Sequence, residues 1–599
     1  MGCDDFLTVT DKSSVSPDNF PSTAEQANLL LTSAYAGSHS IGLYAFYWFP
    51  MGVYLYDHTS DTYGSYDERG TSQMNKTDID SRYITQSYLD IFKWVTFSNT
   101  ALEGIKGYRE KYASDKEKEK HGALDYMEGQ ALFLRGLAYW HGQIFFEINP
   151  DGLGLPLFEK SPDALSEMKA ARASVKDTWD FIINDFKKAA QLLDSCKTEP
   201  YRADVWSAKG MLAKAYMQAG YPDLAKPVIE DIIKKSGKKL VSSEVYQDMF
   251  YGNSTNEFNS ENLYEVDMTI NMNQNGPWAG YTSGSGMPMV FAPWVMNLEI
   301  PFRKGREDKP ENDPMLKEYD IVTSVMGGWG NNYIHDSNVR RFGFSGTSAP
   351  RRTFNKAYDF DTPKSASNFP YSFAYPNEDY VQKCRDLKAD KTRVDPRLTI
   401  STGQPLVDLL IDDKGRESCY DKSGEVNNRP ELLAFQHRKF TNTHGTETKI
   451  NYSSGANYPI VRLADIYLLY AEIMKDSDPA TALEYVNKVH RRAYGYDPNT
   501  SCPYDYKSLT ERTKTFDPAD HLANDVIKYE RWAELFAEGQ WWYDVRRWKI
   551  GQQEVSYYKE TRNGTLTFNG DDYYVQPIPK LELERNTNMV QSGNYPSVR

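Results

Sequence analysis

The sequence predicts an all-α fold, in which a helical-repeat scaffold of the tetratricopeptide type carries an irregular, loop-rich second lobe. Residues 124–146 place apolar side chains on more than one face, as a buried helix does. Two well-separated stretches, 203–237 and 458–493, each have the pattern of two helices joined by a short turn. Because one such pair cannot bury its own apolar face, we expect the pairs to stack side by side.

Local signals indicate where the helices of the first half begin and end. Gly152, Gly154 and Pro156 follow the first long apolar pattern and should terminate that helix. Ser174 is a suitable N-cap for the next helix, and Asp177 three residues later makes the pattern close to a capping box.

Small residues mark the positions where the paired helices should cross. In the first pair Ala213 and Ala225 fall beside aromatic positions, which allows close helix approach. In the second pair, residues 476–479 turn the chain, and Ala471 and Ala482 lie on either side of the turn. These positions predict two antiparallel hairpins with closely spaced axes.

The stretch "ERWAELFAEGQWWYDVRRW", residues 530–548, contains four tryptophans among many charged side chains. Treated as a single helix over 525–548, it carries two apolar stripes, which indicates burial on two sides. We therefore interpret Trp541 and Trp542 as core residues and not as a ligand platform. The interleaved acids and arginines should pair, since an unpaired buried charge is costly.

The remaining segments, 38–84 and roughly 240–450, are rich in Gly, Asn, Asp, Pro and Tyr and show little periodicity. Long loops on a rigid scaffold often carry binding residues. Glycines beside a tryptophan remove bulk and can leave one ring face open. The segments 276–297 and 326–338 combine these features, and they contain the aromatic residues Trp278, Tyr281, Trp294, Trp329 and Tyr333.

Composition limits the class of protein. The chain has 599 residues, 69 basic and 83 acidic, with a formal net charge of −14. Nucleic acid and anionic lipid are therefore not expected as main partners, because phosphate binding needs a basic face. The five cysteines show no CxxC pair, and no metalloprotease, nucleophile-elbow, P-loop or dinucleotide motif is present. We expect neither enzymatic activity nor a cofactor, although "FNGDDYY" (568–574) could hold a structural or adventitious calcium ion.

The C-terminal motifs closely resemble the signature of the SusD/RagB family of outer-membrane nutrient-binding lipoproteins. The Asp-x-Arg-Arg-Trp ending at Trp548 is followed by Pro577-Ile578-Pro579 and by an Asn-rich tail that ends near Tyr595. Further resemblances occur in order along nearly the whole chain. They are "ALFLRGLAYW", with Gly136 where the family usually has Ala, "GLGLPLF", "RADVWSAKGMLAKAYMQAG", "DPRL" (395–398), "RKF" (438–440) and "YPIVRLADIYLLYAE".

The resemblance implies an architecture and a location. It implies four tetratricopeptide-like helix pairs, which we divide into an N-terminal region 3–240, a loop-rich lobe 241–450 and a C-terminal region 451–599 that completes the scaffold. Cys3, followed by two acids, is similar to the lipid-acceptor cysteine of exported family members, whose signal peptide is absent from this sequence. The expected location is the extracellular face of the outer membrane, beside a SusC-like TonB-dependent transporter.

The resemblance also implies non-catalytic capture of an oligo- or polysaccharide. A sugar offers a flat apolar face ringed by hydroxyls, which suits Trp or Tyr rings surrounded by polar groups. The segment 54–70 supplies Asp61, Tyr63, Tyr66 and Arg69, and by comparison with the family it often lines the glycan site, whereas Trp94 and Asn99 look structural. These four residues, together with the five loop aromatics named above, form the predicted ligand-binding set.

Other interpretations remain open at this stage. Tyr63 and Tyr66 could simply pack within their loop, and Trp294, between Pro293 and Val295, could be buried. The cargo could be a peptide, as for RagB-type relatives, or the protein could be a transporter lid with little affinity of its own. The negative net charge disfavours a strongly acidic polysaccharide, although a residue such as Arg69 could reverse this locally.

Overall fold

A computed structural model describes most of the chain. The described residues are 20–46, 56–62, 77–147, 152–195, 199–250, 255–269, 294–297, 332–346, 358–361, 373–376, 378–404, 407–411, 417–421, 434–440, 454–561 and 564–598. Helices dominate these ranges, as the sequence predicts. None of the helices in them is both long enough and apolar enough to span a membrane.

Sixteen α-helices occur in the described part of the chain. They are α1 Ala24–Gly37, α2 Arg82–Lys111, α3 Ala123–Phe146, α4 Val175–Leu192, α5 Val205–Gln218, α6 Pro222–Lys235, α7 Ser243–Asp248, α8 Asp336–Arg341, α9 Glu378–Ala389, α10 Arg397–Ser401, α11 Leu463–Met474, α12 Pro479–Ala493, α13 Val526–Glu534, α14 Trp541–Trp548, α15 Gly551–Tyr558 and α16 Lys580–Arg585.

The strands are short and form small antiparallel ladders. They are β1 Ser60–Thr62, β2 Asn262–Val266, β3 Trp294–Asn297, β4 Asn332–Ile334, β5 Tyr358–Asp361, β6 Phe373–Pro376, β7 Thr402–Gly403, β8 Leu409–Ile411, β9 Glu417–Asp421, β10 Gln436–His437, β11 Tyr458–Arg462, β12 Glu560–Thr561 and β13 Gly564–Thr565. The pairs are β1–β4, β2–β11, β5–β6, β7–β10 and β12–β13, and β9 lies between β3 and β8.

Four helix pairs form the scaffold, as the family resemblance implies: α1/α2, α3/α4, α5/α6 and α11/α12. The predicted cap is confirmed, because the Ser174 side chain accepts a hydrogen bond from the Asp177 amide at the start of α4. Packing explains the glycine at position 136, because a Cβ there would lie only 3.0 Å from the Phe186 ring, where α3 and α4 cross. The crossing residues Ala471 and Ala482 are fully buried.

The aromatic segment 525–548 differs from the single helix that the sequence pattern suggested. The chain forms α13, breaks over residues 535–540 and resumes as α14. Ala537 and Gly539 adopt positive φ angles of 58° and 70° within the break. The carbonyls freed there have buried donors: Lys439 binds the Phe536 oxygen at 3.0 Å, and the Tyr246 hydroxyl binds the Glu534 oxygen at 2.7 Å. The break is therefore stabilised by polar contacts from distant segments.

The interpretation of this segment as core is confirmed. Trp541 is 3 % exposed and Trp542 is fully buried. The predicted pairing of charges is also confirmed. Arg462 binds Glu538 at 2.8 Å and Glu534 at 3.1 Å, and it also contacts Glu261.

A second buried ion pair cluster joins α10 to α13. Arg397 bonds Asp395 through its Nε at 2.9 Å and Glu530 through both terminal nitrogens at 2.8 Å. Burial would raise the pKa of Glu530, but Arg397 and His490 overcome that effect and lower it to about 2. All of these side chains are buried, so the fold depends on complete pairing.

The strand pair β2–β11 connects the segment before 270 to the C-terminal helices. Trp94 and Asn99 are buried, and Asn99 binds both the Phe158 carbonyl and Arg135, so their predicted structural role is confirmed. The division of the chain at residues 240 and 450 stays a prediction.

Candidate functional site

Two of the three predicted binding segments, 54–70 and 326–338, meet in the ladder β1–β4. Asp61 lies opposite Tyr333, and Thr62 lies opposite Asn332 at the end where both strands lead into the predicted loops. The ladder brings residues 60–62 and 332–334 together, whereas the third segment, 276–297, is described only at residues 294–297, in β3. The ladder is therefore the part of the candidate site that the structure describes, and the predicted loops extend from it.

Two predicted ligand residues are located in the ladder itself. Tyr333 is fully buried and Asp61 is 5 % exposed. A buried ring has no free face on which a sugar could stack, so the structure does not support ligand contact by Tyr333. Asp61 is similarly enclosed.

The structure does not describe the side chains of the other predicted ligand residues. Tyr63, Tyr66, Arg69, Trp278, Tyr281 and Trp329 fall outside the described residues, as does the predicted lipidation site Cys3. The backbone of Trp294 lies in β3, opposite Asp421 in β9. These assignments stay predictions.

Polar side chains from distant segments fix the ladder to the core. Asn338 in α8 donates to the carbonyls of His58 and Thr59, at 2.9 and 3.1 Å, and accepts a hydrogen bond from the Tyr558 hydroxyl at 2.6 Å. The Ser60 hydroxyl lies 2.6 Å from the His437 ring nitrogen Nε2. Sequence reasoning missed Asn338 and His437, because their partners are 220 or more residues away and no local pattern identifies them.

Electrostatics in this region follow from burial. Desolvation lowers the pKa of His58 and of His437 to about 3, so both imidazoles are neutral at pH 7. Desolvation also raises the pKa of Asp57 to about 7, although the Thr59 amide and hydroxyl oppose this shift. The hydrogen bonds of the His58 and His437 rings at the base of the site are therefore bonds of neutral imidazoles.

One ion cluster links the ladder to the helices of the aromatic segment. Arg341, the last residue of α8, bonds Asp520 at 2.9 Å and Glu554 at 2.9 Å. Glu554 also accepts hydrogen bonds from His521 at 2.5 Å and from the indole of Trp541 at 2.7 Å. The core helices therefore hold α8, and α8 holds β1 through Asn338.

The Asp-rich stretch proposed for calcium forms a short 3-10 helix, Gly570–Tyr574. The Asp572 carboxylate accepts hydrogen bonds from Asn594, at 3.1 Å from its backbone nitrogen and 2.8 Å from its side chain. Within the described ranges, no three His, Cys, Asp or Glu side chains are grouped as a metal site would require.

Two protein families match this chain. The family described as the SusD family matches residues 350–595, and the family described as "Starch-binding associating with outer membrane" matches residues 5–217. A SusD-like protein from Formosa agariphila is 22% identical over 610 residues, which cover 99% of this chain and 95% of that protein. A SusD-like protein from Bacteroides ovatus is 24% identical over 186 residues, 29% of this chain and 31% of that protein.

Solved structures share the fold. A SusD-like protein from Bacteroides fragilis superposes with a TM-score of 0.66 at 17% identity, covering 97% of this chain and 99% of its own. A laminarin-binding SusD-like protein gives a TM-score of 0.60 at 18% identity, covering 95% and 99%. The two family matches cover residues 5–217 and 350–595, and the chain shares the fold of the solved SusD-like structures over nearly all of its length.

Proposed function

We propose that this protein captures oligo- or polysaccharide without catalysis and delivers it to a SusC-like TonB-dependent transporter. The observation that carries the proposal is the ladder β1–β4. It brings the Tyr-rich segment 54–70 and the segment 326–338, which contains Trp329, to one anchored point of the fold. The match of residues 350–595 to the SusD family and the starch-binding description of the second matched family support a carbohydrate ligand. The laminarin-binding neighbour supports the same ligand class.

The chemistry of capture follows from the residues that flank the ladder in the sequence. Tyr63 directly follows Thr62, and Trp329 precedes Asn332 by three residues. Because consecutive Cα atoms are only about 3.8 Å apart, we expect both rings near the same end of the ladder. Aromatic faces there would stack on sugar rings, and Arg69 would donate hydrogen bonds to hydroxyls. Tyr66, Trp278, Tyr281 and Trp294 complete the proposed aromatic set.

The proposed location is the extracellular face of the outer membrane, with Cys3 as the lipid anchor. The family description "associating with outer membrane" supports this location. A single lipid anchor is a modest tether, so contacts with the transporter would help to retain the protein. Stacking and hydrogen bonding require no cofactor, and none is proposed.

Affinity electrophoresis through gels that contain starch, laminarin or another neutral polysaccharide tests the proposal. Trp329→Ala and Trp278→Ala should abolish retardation by the glycan that the unmodified protein binds. Tyr201→Ala is the matched control, because it removes a ring that is 44% exposed on the helical scaffold. Unchanged retardation in both tryptophan variants would refute the proposed site while leaving the function.

The two remaining functions would give different results. A peptide receptor would bind none of the glycans but would bind peptides through backbone hydrogen bonds and apolar pockets. A transporter lid would bind neither when isolated and would bind the transporter itself. Retardation by any glycan therefore separates capture from both alternatives.

A further inference from the structure

A row of aromatic rings leads from the core of the helical scaffold to its surface after α12. The His490 ring stacks on Tyr494 with the ring centres 4.2 Å apart, and Tyr494 packs against Tyr504 at 4.8 Å. The Tyr504 ring centre in turn lies 6.0 Å from that of Tyr496. His490 and Tyr494 are fully buried, Tyr504 is half-buried and Tyr496 is 41% exposed. We call the two outer rings, Tyr496 and Tyr504, the tyrosine pair.

Hydrogen bonds fix the loop that carries the tyrosine pair, residues 494–505. The buried Arg491 side chain donates to the Pro498 carbonyl at 2.9 Å and to both carboxylate oxygens of Asp505 at 2.8 Å. The Tyr496 amide donates to the Arg491 carbonyl at 2.9 Å. The last helix of the scaffold therefore holds the loop next to both rings. Because the rings are positioned before any ligand arrives, their binding would cost little conformational entropy.

The tyrosine pair differs from the other exposed tyrosines of the described chain. Tyr112 and Tyr201 are exposed to a similar extent, but neither packs against another described aromatic ring. Tyr496 has Tyr504 beside it, and neither of these two hydroxyls forms a hydrogen bond with a described residue. The pair therefore offers an exposed ring, a second ring next to it and two hydroxyls that a ligand can bind.

The surface around the tyrosine pair is polar, which favours a sugar over an apolar protein partner. The chain between the two rings contains the exposed polar residues Asp497, Asn499, Thr500 and Ser501. Tyr496 is the only exposed aromatic or large aliphatic side chain of the loop. Stable protein interfaces have a larger apolar core than this. A sugar ring presents an apolar face surrounded by hydroxyls, which matches an aromatic ring flanked by amide, carboxylate and hydroxyl groups.

We propose that the tyrosine pair is a second, weak glycan contact on the helical scaffold, separate from the aromatic loops at the ladder β1–β4. It stacks on a sugar unit elsewhere along the same polysaccharide chain. The inference rests on the proposed glycan capture and adds a preference for polymers over short oligosaccharides. Because a polymer repeats the same unit, two weak contacts on one protein increase the retention of a long chain. The pair alone is too weak to retain the protein, so Trp329→Ala still abolishes retardation.

The test measures polymer binding and oligosaccharide binding separately. Affinity electrophoresis reports retention by laminarin or starch, and calorimetry reports the Kd of a hexasaccharide with the same linkage. Tyr496→Ala removes the exposed ring, and Tyr496→Phe keeps the ring without its hydroxyl. Tyr201→Ala is the control, because its ring is 44% exposed and has no described aromatic neighbour. Urea unfolding checks that each variant is folded.

We expect Tyr496→Ala to be retained by the polymer roughly three- to tenfold less strongly, with an unchanged Kd for the hexasaccharide. The hexasaccharide is too short to gain from a second contact, so only the polymer reports the loss. Tyr496→Phe should behave almost like the unmodified protein, since stacking uses the face of the ring. Tyr201→Ala should change neither measurement.

Each outcome bears on the inference separately from the proposed function. Equal polymer retention in Tyr496→Ala and in the unmodified protein would overturn the inference and leave glycan capture intact. Equal losses of polymer and hexasaccharide binding would also overturn it, because Tyr496 would then not act as a separate contact. A loss in Tyr496→Phe as large as that in Tyr496→Ala would refute stacking on the ring. If the unmodified protein bound no glycan, the proposed function itself would be refuted, and the inference with it.

Discussion

Glu554 accepts a 2.7 Å hydrogen bond from the indole nitrogen of Trp541 and a 2.9 Å bond from Arg341. One buried carboxylate therefore joins the aromatic segment of the C-terminal helices to α8, beside the candidate site. Glu554 is thus a structural partner of the aromatic segment, and Trp541 acts as a hydrogen-bond donor as well as an apolar side chain.

Trp541→Phe should destabilise the protein more than Trp542→Phe. Both substitutions remove similar volume from the core, but only Trp541 donates to a buried carboxylate. The Trp542 indole nitrogen has no hydrogen-bond partner among the described residues. The lost donor should add about 1–3 kcal/mol to the destabilisation. Urea unfolding of both variants measures the difference, and equal midpoints with equal slopes would contradict the role of the indole donor.

Arg397→Ala should lower the free energy of unfolding by about 3–5 kcal/mol, because it removes the cation that the buried carboxylates of Asp395 and Glu530 share. Lys176→Ala is the control, since its pair with Asp180 is exposed to solvent and should contribute little to the free energy of unfolding. Thermal and urea unfolding both report the effect. If Arg397→Ala lowers the free energy of unfolding as little as the control does, then water or a rearrangement of neighbouring groups stabilises the buried carboxylates in place of Arg397.

The helical scaffold was predictable because its signals are local. The cap at Ser174, the turn after Met474 and the small residues Ala471 and Ala482 all act within a few residues of their own positions. The break in the aromatic segment was not predictable, since the donors that stabilise it, Lys439 and Tyr246, come from other segments.

The candidate site was predictable only in part. Trp329 beside glycines identified the segment 326–338, and the mixture of Tyr, Asp and Arg together with the family resemblance identified 54–70. The described residues of these two segments meet in the ladder. Residue types could not show that Tyr333 faces inward, because the direction of a side chain in a strand depends on register. They also gave no sign of Asn338, whose role depends on contacts with β1 and α15.

Asp57→Asn should stabilise the protein increasingly as pH rises. Burial raises the folded-state pKa of Asp57 from 3.8 to about 7, so its protonated form is favoured in the native state. The stability that the folded protein gains from a protonated Asp57, relative to an ionised one, is fully present below pH 3.8 and is lost as the pH rises through about 7. Asparagine does not titrate and retains an oxygen acceptor for the Thr59 amide. Above pH 7 the free energy of unfolding of Asp57→Asn should exceed that of the unmodified protein by at most about 4 kcal/mol.

Urea unfolding at pH 4, 5.5, 7 and 8 measures this dependence. Asp78→Asn is the control, because Asp78 is exposed and such a surface change should stay within about 0.5 kcal/mol. A stability difference for Asp57→Asn that does not change with pH would mean that water or a cation reaches this carboxylate in the folded protein.

Asn338→Ala should weaken glycan binding although Asn338 is buried. Its side chain holds the carbonyls of His58 and Thr59, the residues that lead into β1, and β1 leads into the proposed binding segment. Removing these bonds should increase hydrogen exchange at residues 60–62 while α13 stays protected. Arg397→Ala is the control for general loss of stability, and it should bind glycan normally wherever it remains folded. Equal affinity in both variants would show that the position of β1 does not determine capture.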